Sequence, residues 1–278
     1  MLSYRHAFHA GNHADVLKHC VLVQLLRHFN QKDKPWWFID THAGAGAYAL
    51  DSEYARKNAE FAGGIGRLWD VPNLPPALAD YVAQVRAVNA DGKLRHYPGS
   101  PLIALQLARR DDRLRLFELH STDHRLLEKN FLDAGRAVAV RQADGFSEIK
   151  SVLPPQPRRG LTLIDPSYED KNDYVRVIGA LKESISRFAT GTFMVWYPLL
   201  QLGTARQLPE KLRKVANSWL DVTLTVQAPA ADGFGMHGSG LFIVNPPWTL
   251  ATTLAEVMPV LVRLLGERTA AVFTLDIQ

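Results

Sequence analysis

Residues 160–168 read Gly-Leu-Thr-Leu-Ile-Asp-Pro-Ser-Tyr, and this stretch decides the fold. Its apolar half has the length and composition of a strand buried on both faces. Pro166 has no N–H to donate to a strand ladder, so the strand ends at Asp165 and the chain must turn. A carboxylate, a stiff turn and the ring of Tyr168 therefore follow a buried strand. In open α/β sheets, ligands bind at this end of the strands.

The residues after this strand suit the binding of an aromatic amine. The ring of Tyr168 can stack on a nucleobase, and the Asp165 carboxylate and Pro166 carbonyl offer two acceptors to an exocyclic amine. An amine held in this way turns its lone pair toward an incoming electrophile. The alternative is an ordinary proline turn, with Asp165 capping the next helix. The local sequence leaves both interpretations open.

Composition sets broad limits on the function. The 278 residues are 47% hydrophobic, enough for one large α/β domain or a domain with an insertion. A net charge of +4 permits a polyanionic partner without requiring one. Cys20 is the single cysteine, which excludes an intrachain disulfide and fits a reducing compartment. Because neither a signal peptide nor a long apolar run is visible, we expect a cytoplasmic protein with no membrane segment.

Acidic residues follow four successive predicted strands. The first strand, residues 36–39, runs into Asp40-Thr41-His42-Ala43-Gly44-Ala45-Gly46, where glycines two apart let backbone amides approach a ligand. The acids after strands one to four are Asp40, Glu118, Asp144 and Asp165. They predict one carboxyl edge that offers acceptors to the hydroxyls and the base amine of a nucleoside. The alternation of seven or more strands with helices predicts a doubly wound sheet with helices on both faces.

A helical insertion is predicted between the first two strands, because roughly 70 residues intervene where a nucleotide-binding unit needs about 20. Residues 52–70 and 76–90 have helical periodicity, and prolines separate them. We therefore expect an inserted subdomain at 50–96 and a main domain made of 1–49 and 97–278. A helix within 97–110 should connect strands one and two, with Ser100 as its N-cap.

The first 30 residues leave two choices open. Residues 1–12 form an arm rich in polar and aromatic side chains, which is either plain surface or a cover for a site. Residues 13–30 have the periodicity of a helix, with Asn12 and Asp15 as start signals. The helix contains Lys18 and His19, for which two interpretations remain. Either Lys18 buries its aliphatic stem and His19 is a hydrogen-bonded core residue, or both side chains line a pocket.

A second stretch competes with Asp165 for the catalytic role. Asn245-Pro246-Pro247-Trp248 also follows a strand. Both stretches resemble the Asp/Asn/Ser-Pro-Pro-aromatic motif of amino-group methyltransferases, and Ser167 departs from it at the second proline. The motif is expected after strand four, beside the glycine loop. We therefore assign catalysis to Asp165 and interpret Asn245 as part of a turn before the last helix.

Over nearly its full length the sequence resembles the RlmJ family of bacterial large-subunit ribosomal RNA adenine-N6 methyltransferases. The motifs that carry the resemblance are the opening Met-Leu-Ser-Tyr-Arg-His-Ala-Phe-His-Ala-Gly-Asn-His-Ala-Asp-Val-Leu-Lys-His, Asp-Thr-His-Ala-Gly-Ala-Gly, Tyr-Pro-Gly-Ser-Pro, Ala-Asp-Gly-Phe, Ala-Thr-Gly-Thr, Trp-Tyr-Pro and Asn-Pro-Pro-Trp. The resemblance implies a Rossmann-like class I methyltransferase fold with an inserted helical subdomain. It also implies S-adenosylmethionine as methyl donor.

The resemblance also implies roles for individual residues. It makes the following residues contacts to the donor: His19, His42, Ser100, Glu118, Asp144 and Gly145. Lys18 lies near the donor, Asp165 accepts the proton of the target amine, and Tyr4 contacts the RNA. We add Gly44 to the donor site because it begins the glycine pair, and Pro166 and Tyr168 to the catalytic set. No metal is expected, because the histidines lack a ligand spacing.

The implied substrate is the adenine conventionally numbered 2030 in 23S RNA, free of ribosomal proteins, and we expect a monomer. Three other functions stay open at this point. A DNA adenine-N6 methyltransferase would have the same site. A nicotinamide-dependent oxidoreductase shares the strand and glycine pair, but it lacks the third glycine and gives Asp-Pro-Ser-Tyr no role. A non-catalytic RNA-binding module would have no need for acids after four strands.

Overall fold

The computed structural model describes residues 6–51, 59–267 and 269–278. The prediction for Tyr4 and the first part of the helix predicted over 52–70 lie outside these ranges. The helices are α1 (His13–Asn30), α2 (Glu60–Gly63), α3 (Pro76–Ala87), α4 (Ser100–Leu107), α5 (Ser121–Asn130), α6 (Gly145–Val152), α7 (Asp173–Arg187), α8 (Gly203–Arg213) and α9 (Leu250–Leu265), with 3-10 turns at His6–Phe8, Ile65–Arg67 and Leu132–Ala137. None of these helices is long and apolar enough to cross a membrane.

Eight of the strands form one sheet in the order β10-β8-β9-β7-β6-β1-β4-β5. The strands are β1 (Trp37–Asp40), β2 (Ala47–Ala49), β3 (His96–Pro98), β4 (Arg113–Glu118), β5 (Val138–Gln142), β6 (Gly160–Ile164), β7 (Thr192–Leu199), β8 (Trp219–Thr225), β9 (Gly238–Val244) and β10 (Val272–Ile277). Strands β5, β4, β1, β6 and β7 run parallel to one another. Strand β9 pairs antiparallel with both β7 and β8. Strand β10 pairs antiparallel with β8 at one edge.

Helices cover both faces of this sheet. Successive residues of β6 point into two different hydrophobic layers, with Leu163 in one and Ile164 in the other. The layer around Leu163 contains residues of α1, α3, α4, α5 and α9, and the layer around Ile164 contains residues of α6, α7 and α8. Burial on both faces explains why β6 is a continuous apolar run. The predicted Rossmann-like α/β sheet is confirmed.

Strand β1 lies between β4 and β6, where the strand order reverses. The chain leaves β1 for β4 through α4 on one face, and it reaches β6 through α6 on the other. The two connections diverge and leave a crevice at the carboxyl end of β1, which is the binding position in open α/β sheets. The fold therefore places any ligand site beside Asp40 and the glycine loop.

The helices differ from the sequence predictions at two places. In place of a helix over 52–70, the described part of that range has only α2 and a 3-10 turn. The break falls at Gly64, where an added Cβ would lie 2.0 Å from the Gly11 carbonyl oxygen, so the chain bends to pack on the N-terminal segment. Helix α6 was not predicted. It begins after Asp144, whose carboxylate accepts the Phe146 amide as an N-cap.

The described residues of the 50–96 segment pack into the main hydrophobic core. The short strands β2 and β3 pair antiparallel on either side of the segment, which brings its ends together. The buried Tyr81 and Val85 of α3 belong to the same hydrophobic layer as α1. The boundary at 50 and 96 stays a prediction, and the segment packs as a continuation of the main core.

Candidate active site

One pocket of about 380 Å³ opens at the carboxyl ends of β1, β4, β5 and β6. That volume lies within the range of roughly 300–1,000 Å³ typical of small-molecule sites. The predicted site residues that line it are Lys18, His19, His42, Gly44, Ser100, Glu118, Asp144, Gly145, Asp165, Pro166 and Tyr168. Residues from distant parts of the sequence thus meet at one place, although the function of each stays a prediction.

The loop after β1 and the acid after β4 form one wall of the pocket. Gly44 has φ +58°, and a Cβ there would lie 2.3 Å from the Tyr48 hydroxyl, so glycine is required. Its amide donates to Oε2 of Glu118 over 2.8 Å, and the His120 amide donates to Oε1 over 2.7 Å. Burial raises the pKa of Glu118, although these two amides partly offset the effect. Glu118 is therefore held in one orientation, as a hydroxyl acceptor should be.

Ser100 has a different role from the one expected. Gly99 occupies the N-cap position of α4, and the Ser100 hydroxyl donates to Oδ2 of Asp40 over 2.7 Å. The His42 amide donates to the other carboxylate oxygen over 3.1 Å. Asp40 is fully buried, and burial raises its pKa to about 7. The N-cap prediction was wrong because a buried carboxyl group at the end of β1 holds the hydroxyl.

Asp144 lies where an adenine amine was expected to bind, but it already has partners. One oxygen caps α6, and the other forms an ion pair with Arg176 on α7. The Arg176 guanidinium lies 4.4 Å from the centre of the Phe146 ring, whose edge faces His42 at a centroid distance of 4.8 Å. Burial lowers the pKa of His42 to about 4. A ligand amine could reach Asp144 only by sharing this carboxylate with Arg176.

Gly145 is required for packing. A Cβ at this position would lie 2.0 Å from the Thr41 carbonyl oxygen. The start of α6 therefore presses against the loop after β1, which joins two walls of the pocket.

His19 has a buried nitrogen that no described residue satisfies. Its Nδ1 shares a hydrogen bond of 2.8 Å with the Tyr97 hydroxyl, whereas Nε2 makes no hydrogen bond and lies 4.0 Å from Oδ1 of Asp15. Burial lowers the pKa of His19 to about 3, so the imidazole is neutral. A buried polar atom without a partner, at the wall of a pocket, suits a missing ligand. Together with the glycine loop and Glu118, it fits a donor with an amino acid end and a ribose.

Three charged side chains connect α1 to the end of β6. Lys18 Nζ donates to Oδ2 of Asp165 over 2.6 Å and lies 2.9 Å from Oδ1 of Asp15. Burial opposes the charge on Lys18, but Asp15 and Asp165 outweigh it and raise its pKa. Burial raises the pKa of Asp165, and Lys18 partly offsets the rise. Oδ1 of Asp165 makes no hydrogen bond to any other residue within the described ranges.

Tyr168 is more enclosed than a free stacking platform would be. Tyr168 is 7% exposed, and its backbone has φ +56°. Its hydroxyl donates a hydrogen bond to the Trp196 carbonyl over 2.7 Å. Its ring lies 4.7 Å from that of Tyr174 and 6.0 Å from that of Trp196. These contacts lock the turn after Asp165, where Ser167 replaces a proline. Only one side of Tyr168 is left to border the pocket.

The competing Asn245 lies at the opposite edge of the sheet. Strand β9 runs antiparallel to β7, so its last residue, Val244, pairs with Phe193 near the start of β7. The Asn245 amide donates to the carbonyls of Ala189 and Gly191, over 2.8 and 2.7 Å. Asn245 is therefore part of a turn on the far side from the pocket, which supports the preference for Asp165.

Sequence reasoning missed several residues that line the pocket or, like Tyr97, hold one of its side chains from behind. Asp15 was interpreted only as a helix start, and Arg176, Trp196 and Tyr97 were given no role. A buried acid three residues before Lys18 on one helix face was a usable signal, since positions i and i+3 are neighbours. Arg176 gave no signal, because one arginine on an amphipathic helix is ordinary. In the described part of the chain no cluster of acids, histidines and cysteines could hold a metal ion.

Comparisons with known proteins agree with this geometry. A family model described as Ribosomal RNA large subunit methyltransferase D, RlmJ, matches residues 33–275. Ribosomal RNA large subunit methyltransferase J of Haemophilus influenzae is 46% identical over 267 residues, covering 95% of this chain and 94% of that protein. The protein of that name from Escherichia coli K12 is 46% identical over 260 residues, covering 93% and 92%. A solved Legionella pneumophila structure superposes with a TM-score of 0.89 at 35% identity, covering 96% of this chain and 98% of that one. The chain therefore belongs to the RlmJ family of ribosomal RNA large subunit methyltransferases.

Proposed function

We propose that this protein transfers the methyl group of S-adenosylmethionine to N6 of an adenine in 23S ribosomal RNA. The observation that carries the proposal is the Asp165 carboxylate. It ends β6 in the same pocket as Gly44, His19 and Glu118, and one of its oxygens has no hydrogen-bond partner among the described residues. The family membership supports ribosomal RNA as the substrate class.

The residues around the glycine loop are the proposed donor site. The Glu118 carboxyl group would accept the ribose hydroxyls, and Nε2 of His19, which makes no hydrogen bond, would bind the amino acid end. Asp144 would accept the adenine amine of the donor while it keeps its contact with Arg176. When bound, the donor supplies a methyl group on a sulfonium, which is already an electrophile.

Asp165 and Pro166 would position the target amine. A base must leave its stack to reach a pocket of this kind. The Pro166 carbonyl and the free oxygen of Asp165 would then accept hydrogen bonds from the two N6–H groups and direct the nitrogen lone pair at the methyl carbon. As the N–C bond forms and the C–S bond breaks, Asp165 accepts the proton that N6 loses. Its raised pKa makes Asp165 a stronger base than an exposed aspartate.

Lys18 holds the other oxygen of Asp165 and opposes neutralisation of that carboxylate by burial. The remaining rate enhancement would come from alignment of the two reactants and from exclusion of water. We further propose that the protein acts on RNA free of ribosomal proteins, as the resemblance to the family implies, and that it does so as a monomer in the cytoplasm.

A transfer assay with labelled S-adenosylmethionine and deproteinised 23S RNA tests the proposal. Wild type, Asp165→Asn and Asn245→Ala are compared, and the digested RNA is analysed for N6-methyladenosine. We expect label in that nucleoside with wild type and Asn245→Ala, and its loss with Asp165→Asn. Transfer to duplex DNA in preference to RNA would contradict the substrate. Loss with Asn245→Ala alone, at an unchanged Tm, would contradict the choice of catalytic motif.

A further inference from the structure

The glycine-rich loop between β8 and β9 has a feature that the proposed reaction does not use. Phe234 lies at its tip, between Gly233 and Gly235, and its side chain is 78% exposed. Both glycines have positive φ, +80° and +87°, and a Cβ on either would meet nothing within 4 Å. A large apolar ring is therefore held in solvent on a backbone that only glycine adopts easily.

The topology places this loop over the pocket edge. Strand β8 runs parallel to β7 and β6, so its carboxyl end lies at the same edge as Asp165. Met236, two residues after Phe234, lines the pocket together with Leu200 and Pro198 of the β7 region. Phe234 is thus within about two extended residues, roughly 7 Å of chain, of the pocket lining.

The base of the loop is anchored, whereas its tip is open. The His237 amide donates to the Leu199 carbonyl over 3.2 Å, and the Gln201 side chain donates to the Ala230 carbonyl over 2.8 Å. The tip itself is shaped by local bonds, such as the Phe234 amide to the Asp232 carboxylate over 3.0 Å. The loop therefore presents Phe234 from a fixed base beside the segment that follows β7.

A cationic side chain accompanies the ring. Arg206 on α8 is exposed, and it lies near enough to His237 for its charge, after burial, to lower the pKa of that imidazole. Arg206 is thus near His237, three residues after Phe234, and an exposed ring with a cation in its neighbourhood suits a stacked base next to a phosphate. A protein partner would be expected to meet a broader apolar surface than a single ring.

We propose that Phe234 stacks in the gap that the target adenine leaves in the RNA, or on the base next to it, and so holds the RNA open over the pocket. The proposal rests on the proposed function, since only a substrate base drawn from a stack leaves such a gap. Proteins that open nucleic acid helices insert apolar side chains between bases in the same way. Phe234 would then govern RNA affinity and take no part in methyl transfer or donor binding.

The chain provides a matched control. Phe234 and Trp248 are the aromatic side chains of the described residues that are largely exposed, and Trp248 is 87% exposed. Trp248 follows Asn245, whose bonds to Ala189 and Gly191 place it at the opposite edge of the sheet. Removal of either ring exposes no core, so both variants should fold.

The test compares wild type, Phe234→Ala, Phe234→Trp and Trp248→Ala on two RNAs. One is a 23S hairpin in which the target adenine, not yet methylated, is stacked between its neighbours. The other is a short single strand that has the target adenine in the same sequence. For Phe234→Ala we expect an increase of about tenfold in KM on the hairpin, the size of one lost stacking contact. On the single strand we expect little change, with an unaltered donor Kd by calorimetry. Phe234→Trp should keep the wild-type KM because it keeps an aromatic ring, and Trp248→Ala should also have the wild-type KM.

Each other result overturns the proposal. If Phe234→Ala equals wild type on the hairpin, or raises KM no more than Trp248→Ala does, the ring makes no specific contact. If Phe234→Trp fails to restore KM, stacking is excluded. A failure of the proposed function differs from these results, because wild type would then bind donor and methylate neither RNA, which would overturn both proposals.

Discussion

Lys18 and Arg213 each bridge two aspartates, yet Lys18 borders the pocket and Arg213 does not. Arg213 contacts Asp221 at 2.9 Å and Asp276 at 2.7 Å, and it thereby joins α8 to β8 and β10. The other oxygen of Asp221 accepts the Tyr197 hydroxyl over 2.6 Å. Every oxygen of Asp221 is therefore used.

The Lys18 bridge is incomplete by comparison. Its Asp165 keeps one oxygen without a partner from the described residues, although burial raises the pKa of that carboxyl. The Asp165 side chain is 14% exposed, so this oxygen faces the pocket without being sealed from water. A carboxylate with both oxygens bonded stabilises a fold, whereas one with an oxygen open to a pocket is available for a substrate. The predictions below separate these two cases.

The largest expected effect is that of Asp165→Asn on turnover. The amide still fills the space but cannot accept the N6 proton, so kcat should fall by roughly 10²–10⁴-fold, the range of a general base. Turnover under saturating donor and RNA measures it, with Tm as the folding control. A kcat within threefold of wild type would show that the free oxygen has no chemical role.

Arg213→Met should lower the stability of the protein and leave kcat unchanged, the reverse of what is expected for Asp165→Asn. It leaves the buried Asp221 without its cation, which we expect to cost roughly 2–3 kcal/mol of unfolding free energy. The figure is below that of a fully enclosed pair, because Arg213 is 28% exposed. Urea unfolding measures the loss, and kcat of the folded variant should stay at the wild-type value. A matching loss of kcat would mean that this network also serves the pocket.

Lys18→Met should move the acid limb of the pH–rate profile. Burial raises the pKa of Asp165 and Lys18 opposes this, so removal of the ammonium raises that pKa further. The active, ionised carboxylate is then lost at a higher pH, and kcat/KM should begin to fall earlier as pH decreases. Profiles from pH 5 to 9 measure the shift, with Arg213→Met as the matched control. An unmoved limb would exclude an electrostatic role of Lys18 on Asp165.

The smallest expected effect concerns Asp40. Burial raises the pKa of Asp40 in the folded protein to about 7, well above that of an exposed aspartate. The folded state thus favours the protonated form, and this contribution to stability is present below about pH 4 and lost as pH rises through 7. Asp40→Asn mimics the protonated form, so its Tm relative to wild type should increase from pH 5 to pH 8. A constant difference over that range would contradict the raised pKa.

Local sequence predicted much of the framework. Strand β6 was recognisable from Leu161, Leu163 and Ile164, because burial on both faces removes polar alternation. The N-cap Asn12 and the end of β6 at Pro166 follow from hydrogen-bonding rules that need no tertiary information. The break at Gly64 could not be predicted, because it depends on close approach to Gly11 from another part of the chain.

The sequence predicted which residues line the candidate site, but it did not predict the hydrogen bonds and ion pairs that these residues form. Acids at strand ends point to one sheet edge whatever the loops do, which is why Glu118, Asp144 and Asp165 line one pocket. The pairing of Asp144 with Arg176 depends on how α7 packs beside α6, which spacing alone does not specify. The same holds for Ser100, whose hydroxyl binds Asp40 and does not cap its own helix.

The sequence by itself determined the family, the alternation of strands and helices, and the edge at which polar residues collect. These properties depend on residue type and short spacing, which act locally. The tertiary structure decided which carboxylates are satisfied. Lys18, which also contacts Asp15, reaches Asp165 across 147 positions, and Asn245 faces the other edge because β9 runs antiparallel. Burial and the proximity of distant charges set these protonation states, and both exist only once the chain has folded.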